Sequence, residues 1–474
     1  MLRPWIALVL LGTLVLSGVT SCRSAPNRPG PNIVLVVLDT TRADRISYDD
    51  DSGLATPGLA GFARDAIRFD RAYSTSSWTV ASHASLFTGL LPATHQATQE
   101  NLLLDSDLET LAEILAARGY QTAAFSNNTW VSGTTDLTQG FETLAELWSN
   151  RPGSPDAEPA HPTNEAVRAW LSARDSGRPF FLFVNFIEPH WPYAAPQEYL
   201  TQVAGDRPEL VTTAGSGFSA IEWYVKGQRG TDAILEARAA RYDAEVAYVD
   251  AIVQRLFDVL EVEDVFDDSL LVVTSDHGEN LGEHGHQGHS FTLYDSTIRV
   301  PLLIRPPGGA GPDAPIRTDP VQLTDVFTTL ARAAGVTDYD PRVVGQDLLA
   351  GPVPDDRPVV TEYYRPDTFL ARFPRNPAVR GRLASFRRRI RSIQVGSDKL
   401  IWGSDGRHEL YDVTRDPGEL ENLALERPEV VESLAAQLEA TVARLSRSTS
   451  DPRPGLSRID PETIENLRAL GYLP

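Results

Sequence analysis

The run NIVLVVL, residues 32–38, is apolar and mostly β-branched from Ile33 onward. An alternating pattern would leave one face of a strand for water. A run without alternation must be buried on both faces, which requires a sheet covered by helices on each side. Four further runs follow: YQTAAFS (120–126), FFLFVNFI (180–187), SLLVVTS (269–275) and VPLLI (300–304). Helical patterns separate them. Thr56-Pro57 supplies an N-cap and a first-turn proline for a helix over 56–66. Residues 108–118 have helical spacing and stop at Gly119, and 163–174, 235–260 and 324–334 follow, the last ended by Gly335. Strands alternating with helices predict an α/β fold with a large, mostly parallel sheet sandwiched by helices.

The rhythm sets the limits of this larger portion at 32–340. Residues 149–162 and 205–231, rich in Gly, Pro and polar side chains, are expected to be insertions. Residues 341–474 are expected to form a smaller C-terminal α+β subdomain. It would have short antiparallel strands over 388–413 and helices over 427–446 and 460–470.

The amino terminus has the pattern of an address. Arg3 precedes an apolar run from Trp5 to Leu16, and Val19-Thr20-Ser21-Cys22 follows. This predicts a signal peptide over 1–22, too short for an ordinary membrane span, and export. Val-Thr-Ser-Cys resembles a bacterial lipobox, which implies lipidation at Cys22 and a membrane partner through that anchor. Residues 23–31 would be a tether, and the protein would sit in the cell envelope, periplasmic or on the outer surface. Cys22 is the only cysteine, so an intramolecular disulfide is excluded. The formal net charge of -21, with no evident basic patch, argues against a nucleic-acid partner.

In open α/β sheets chemistry collects at the carboxyl ends of strands. Here those ends carry Asp39, Glu188-Pro189-His190 and Asp276-His277. Carboxylate oxygen beside imidazole nitrogen suits a divalent metal, with nitrogen favouring Zn²⁺ or Mn²⁺ over Ca²⁺. His284, His286 and His289 follow within a few residues. His284 and His286 are candidates for a second metal site. Arg42 and Asp44 are expected to form a structural ion pair. SSWTVASHASLFTG (76–89) holds hydroxyls and one imidazole but no charged side chain, and its Ser and Thr also suit a helix start.

NIVLVVLDTTRADR, WTVASHASLFTG, EPHWPY, TSDHGENLGEHG, STIRVPLLIRPPG and IWGSDGRHELYDVTRDPGELENLA resemble, in order and spacing, the sulfatase family of the alkaline phosphatase superfamily. The resemblance runs from about residue 32 to the end. It implies an alkaline phosphatase-like fold and a metal-dependent hydrolase of sulfate or phosphate esters. Its substrate would be a sulfated or phosphorylated small molecule, glycan or lipid. Thr88-Gly89 sets the register of the family's nucleophile motif, Cys/Ser-x-Pro-Ser-Arg. Thr79 then takes the nucleophile position, Ala81 that of Pro, Ser82 that of Ser and His83 that of Arg.

Typical sulfatases convert that Cys or Ser to formylglycine. Threonine cannot become that aldehyde, so no formylglycine is expected, and a Thr79 alkoxide would attack directly. This tilts the chemistry toward phosphate esters and diesters. The family's doubled Asp becomes Asp39-Thr40, its Asp-Asn becomes Asp276-His277, and its two lysines align with Asn127 and His289. The resemblance thus implies Asp39, Thr79, Asp276 and His277 as metal ligands. It implies Asn127, His190 and His289 as substrate-binding residues, and Thr79, His83, His190 and His289 as catalytic. Two other readings stay open: an envelope transferase of phospho-alcohol groups, and a non-catalytic sulfatase-like binding lipoprotein.

Overall fold

The computed structural model describes residues 30–48, 56–148, 161–213, 222–224, 227, 230–311, 314–370, 376–446 and 465. The predicted signal peptide with Cys22, most of the 149–162 insertion and the 460–470 helix lie outside the described residues.

Eight strands form the main sheet. In spatial order they are Ile316–Arg317, Ile67–Phe69, Leu302–Arg305, Ser269–Thr274, Asn32–Leu38, Phe180–Phe186, Gln121–Ser126 and Thr143–Glu146. Asn32–Leu38 lies at the centre, parallel to Phe180–Phe186 on one side and to Ser269–Thr274 on the other. The unbroken apolar run is explained by its two faces. Ile33, Leu35 and Val37 enter one core with the helices Thr79–Thr88, Leu111–Ala117 and Leu323–Ala333. Val34, Val36 and Leu38 enter the other with Pro57–Ala63, Pro162–Ala173 and Asp232–Val262. All six side chains are fully buried, and each contributes about 1.5–3 kcal/mol by leaving water.

The expected strand over 300–304 is divided. Arg299–Val300 joins a three-stranded sheet with Ala72–Tyr73 and Val321–Gln322, whereas Leu302–Arg305 pairs antiparallel with Ser269–Thr274. Pro301, which has no N–H to donate, stands at the division. The helix expected from 108 starts at Leu111. There Thr110 and Glu113 form a reciprocal capping box that satisfies first-turn donors. The long helix extends to Asp232–Val262, capped by the Thr231 side chain accepting from Ile234 N–H. Part of the 205–231 insertion is helical, over Glu209–Thr212 and 222–224.

A four-stranded antiparallel sheet, Val359–Tyr363, Ile390–Val395, Asp398–Gly403 and Glu409–Asp412, follows in the C-terminal part. The helix Pro428–Leu445 covers it through Leu434, Leu438, Val442 and Leu445. Leu91 and Ala93 of the larger portion share that core, so the two parts are packed together. No helix among the described residues is long and apolar enough to cross a membrane.

Candidate active site

Three neighbouring strands end on one edge of the main sheet. Asn32–Leu38 delivers Asp39, Ser269–Thr274 leads to Asp276 and His277, and Phe180–Phe186 leads to His190. The helix Thr79–Thr88 starts at the same edge. Its N-cap, Trp78, offers the first turn no side-chain acceptor. A helix start of this kind presents N–H groups and the positive end of its dipole to an anion.

Asp39, Thr79, Asp276 and His277 are all fully buried. The Thr79 hydroxyl oxygen lies 3.2 Å from His277 Nε2. His277 Nδ1 donates to the Gly278 carbonyl at 3.0 Å. Burial pushes the imidazole down to about 4, so it is neutral and Nε2 carries the lone pair. That nitrogen stands 3.3 Å from Asp276 Oδ2, an acceptor facing an acceptor. Asp276 Oδ1 accepts from Thr40 N–H at 3.1 Å and from its neighbour His277 N–H at 2.9 Å. Asp276 Oδ2 and Asp39 Oδ1 are buried without a hydrogen-bond partner. Burial first, then the adjacent Asp276 carboxylate, push the Asp39 carboxyl well above the usual carboxylate range.

Such a set is costly by itself, because unpaired buried carboxylates lose hydration without compensation. A divalent cation removes the conflict. One ligand atom from each of Asp39, Asp276 and His277 lies within 4.8 Å of the others, and no other set of three such side chains gathers in this way among the described residues. The His277 Nδ1–carbonyl bond is the outer contact that fixes a metal-binding imidazole. The residues present therefore fit a metal. Gly278 keeps this turn tight: a Cβ there would meet the Ser296 carbonyl oxygen at 2.2 Å.

Around this centre, Asn128 Nδ2 donates to Asp39 Oδ2 at 2.5 Å. His289 Nδ1 bonds Glu279 Oε2 at 3.0 Å, and its ring lies 4.4 Å from that of His277 and 5.3 Å from that of His190. His190 Nδ1 bonds the Trp191 carbonyl at 2.5 Å. His83 is buried between Phe87 and Phe183, with Nδ1 on the Thr79 carbonyl at 3.0 Å and 3.7 Å from Asp276 Oδ2. Ser82 Oγ donates to the Asp276 carbonyl at 2.7 Å. Asn127 uses both amide hydrogens inside the fold, on Thr163 Oγ1 at 2.6 Å and the Asn185 carbonyl at 3.0 Å, which leaves it no N–H for a substrate oxygen.

His284 and His286 do not join the cluster. His284 stacks on Tyr294 at 3.7 Å, and His286 Nδ1 lies 3.2 Å from the Tyr224 hydroxyl. Arg42 does pair with Asp44, at 2.7 Å, and with Glu283, at 2.6 Å. Asn128, Glu279 and the Thr40 N–H are site residues that sequence reasoning did not single out. Asn128 is one residue from the aligned Asn127, and Glu279 stands inside the TSDHGENLGEHG motif.

The sulfatase family model matches residues 31–336. An uncharacterized sulfatase YidJ of Escherichia coli is 24% identical over 436 residues, covering 83% of this chain and 83% of its own length. A choline-sulfatase of Rhizobium meliloti is 25% identical over 445 residues, covering 83% of this chain and 82% of its own. Among solved structures, a phosphonate monoester hydrolase of Agrobacterium radiobacter superposes with a TM-score of 0.69 at 22% identity, over 88% of this chain and 96% of that one. With that match covering the strand ends that gather Asp39, Asp276 and His277 and the helix start that carries Thr79, the chain belongs to the sulfatase family and is a hydrolase of ester bonds.

Proposed function

We propose that the protein is a metal-dependent esterase in which Thr79 is the nucleophile, acting on phosphate or phosphonate esters in preference to sulfate esters. The observation that carries this reading is the Thr79 hydroxyl, buried at a helix start and 3.2 Å from His277 Nε2. The family's aldehyde cannot be made from threonine. A solved phosphonate monoester hydrolase of the same fold supports the phosphorus side, and the choline-sulfatase supports the sulfate side.

Asp39, Asp276 and His277 would hold one divalent cation, Mn²⁺ or Zn²⁺ by donor type. When bound, it would supply positive charge that acidifies a neighbouring hydroxyl and polarises an ester. The Thr79 hydroxyl gives its proton to solvent as its Oγ forms a bond to phosphorus or sulfur, and the bond from that atom to the leaving oxygen breaks. His190 or His289 gives the leaving oxygen its proton. Water then cleaves the ester at Thr79 and restores the hydroxyl. The helix start receives non-bridging oxygens. Ser82 Oγ holds the Asp276 carbonyl, His83 Nδ1 donates to the Thr79 carbonyl, and Asn127 ties the strand ends.

The predicted signal and lipobox support a position in the bacterial envelope with an anchor through Cys22. The test is turnover of p-nitrophenyl phosphate, phosphodiester, phosphonate and sulfate by the protein lacking residues 1–22, with Mn²⁺ or Zn²⁺ added. Mass spectrometry would look for phosphate on Thr79. Phosphoester turnover lost in Thr79→Ala supports the reading. Sulfate turnover above phosphoester turnover overturns its preference, and a metal-loaded protein that turns over none of the esters is either an enzyme selective for a substrate outside this panel or the binding lipoprotein.

A further inference from the structure

Glu279 is a buried carboxylate two residues beyond His277. Other buried carboxylates of this fold brace the backbone. Asp250 accepts from Gly58 and Leu59 N–H at the start of the helix Pro57–Ala63. Asp325 accepts from Gln322 and Gln346 N–H. The Glu279 carboxylate is turned to side chains instead. Its Oε2 bonds His289 Nδ1 at 3.0 Å, and the Tyr193 hydroxyl stands 3.4 Å from its Oε1. Tyr193 comes from the EPHWPY motif, and the fully buried Arg238 guanidinium lies 5.3 Å from the centre of its ring. The backbone under Glu279 is fixed as well. Its N–H donates to the Ser296 carbonyl at 2.9 Å, and its carbonyl accepts from Arg42 Nη1 at 3.0 Å.

This contact settles how His289 is turned. An ionised carboxylate only accepts, so the imidazole keeps its proton on Nδ1 and directs that nitrogen to Glu279. Nε2 then lies on the side of the ring away from Glu279. The ring itself is 4.4 Å from that of His277 and 5.3 Å from that of His190, beside the metal ligands. His190 is held differently: its Nδ1 bonds the carbonyl of its own neighbour, Trp191. A charged acceptor on a separate, rigid turn orients an imidazole more firmly than a neutral carbonyl that moves with it.

We propose that Glu279 is a positioning residue that aims His289 Nε2 at the reacting ester, and that His289, rather than His190, therefore gives the leaving oxygen its proton. The inference rests on the hydrolase reading and deepens it. The proton passes from Nε2 to the leaving oxygen as the bond from that oxygen to phosphorus or sulfur breaks. Nδ1 keeps its own proton on Glu279 throughout. The neutral imidazole left behind is already the tautomer whose Nε2 takes a proton from the water that cleaves the ester at Thr79, which restores the starting state. Glu279 gains and loses no proton and does not touch the ester.

The experiment compares the metal-loaded protein of the ester assay with Glu279→Gln, His289→Ala and the double variant. The probes are phenyl and p-nitrophenyl phosphate, methylphosphonate and sulfate. A p-nitrophenolate leaves without help, whereas a phenolate needs a proton. In Glu279→Gln, kcat should fall about a hundredfold more on the phenyl ester than on the p-nitrophenyl ester. KM and bound metal should change little. His289→Ala should show the same split, and the double variant should be no worse than His289→Ala, because the two residues act as one unit. An equal fall on both esters, a His289→Ala variant without the split, or losses that multiply in the double variant would overturn the proposal. Proton NMR supplies a readout that needs no turnover. A downfield imidazole N–H resonance should be present in the wild type, absent in His289→Ala and moved upfield in Glu279→Gln. A wild type that turns over no ester sinks the hydrolase reading. The resonance then decides the orientation of His289 by itself: if it is absent, or unchanged in Glu279→Gln, the positioning role falls too.

Discussion

Thr79 Oγ1 and His277 Nε2 lie 3.2 Å apart, although the residues are 198 positions apart in the chain. One belongs to the first turn of a helix and the other to the turn after a central strand. Because His277 Nδ1 is committed to the Gly278 carbonyl, the hydroxyl donates to Nε2. A cation held by that nitrogen would stand beside the hydroxyl oxygen. The proposed role of Thr79 as nucleophile rests on this contact.

Thr79→Ala is expected to lower kcat on p-nitrophenyl phosphoesters by at least about a thousandfold, because a nucleophile is not replaced by binding alone. Thr79→Ser keeps the hydroxyl and should retain measurable turnover. Far-ultraviolet circular dichroism and melting temperature should be unchanged in Thr79→Ala. Equal turnover by Thr79→Ala and wild type would mean that water or another side chain attacks.

Asp39→Asn separates metal binding from folding. In the presence of a chelator, Asp39 Oδ1 and Asp276 Oδ2 are buried acceptors without partners. Removing one charge should raise the melting temperature of the chelated protein. Adding Mn²⁺ or Zn²⁺ should stabilise the wild type by about 2.7 kcal/mol at one hundred times its Kd. The same metal concentration should stabilise Asp39→Asn much less. A variant with an unchanged metal response would remove Asp39 from the ligand set.

Much of this was legible in the sequence because burial on both faces leaves a plain signature. Ile33 to Leu38 contribute alternately to two cores, so no polar position interrupts the run. Strand-end chemistry was legible for the same reason, since Asp39 and Asp276 follow directly on such runs and His190 follows shortly after one. Direction was not. An apolar run such as Leu302–Arg305 reads alike in parallel and antiparallel pairing. Short strands such as Ala72–Tyr73 are specified by their partners and by little in their own sequence. Asn127 and Asn128 show the limit at single-residue scale: adjacent amides after one strand point to different partners, and only the second reaches Asp39. The buried Lys399, held by Asp295 and Glu419, could not be told from an exposed lysine without the third dimension.

The motif resemblance sets Thr40 against the family's second aspartate, and Thr40→Asp tests that reading. Thr40 has φ 56, unusual for a β-branched residue and better tolerated by Asp. Its N–H already holds Asp276 Oδ1, and its hydroxyl is buried without a partner. A third carboxylate should shift preference toward a hard cation, tightening Ca²⁺ binding by about tenfold or more relative to Mn²⁺. Calorimetric titration measures both ions. The chelated variant should melt below wild type, because a further buried charge is left unpaired. Unchanged Ca²⁺ affinity would show that the side chain at position 40 does not reach the ion.

His95 should govern part of the acid limb of stability, independently of the metal. Its Nδ1 accepts from Ala97 N–H at 3.1 Å, so its proton sits on Nε2, directed to Ser85 Oγ at 3.0 Å. Burial pushes this imidazole down to about 3. The unfolded chain takes up the proton near the ordinary value of 6.5, and the fold takes it up only near 3. Between those values the unfolded state binds more protons, so the folded state is increasingly disfavoured as pH falls. The contribution is fully present above about 7 and lost progressively toward 3. His95→Gln should lower stability at pH 7.5 through lost packing and hydrogen bonds. It should also flatten the dependence between pH 6.5 and 4 by about one proton's worth. Urea unfolding at a series of pH values, with a chelator present throughout, reads both effects. A variant with the wild-type slope would mean that the other buried imidazoles carry the acid limb without His95.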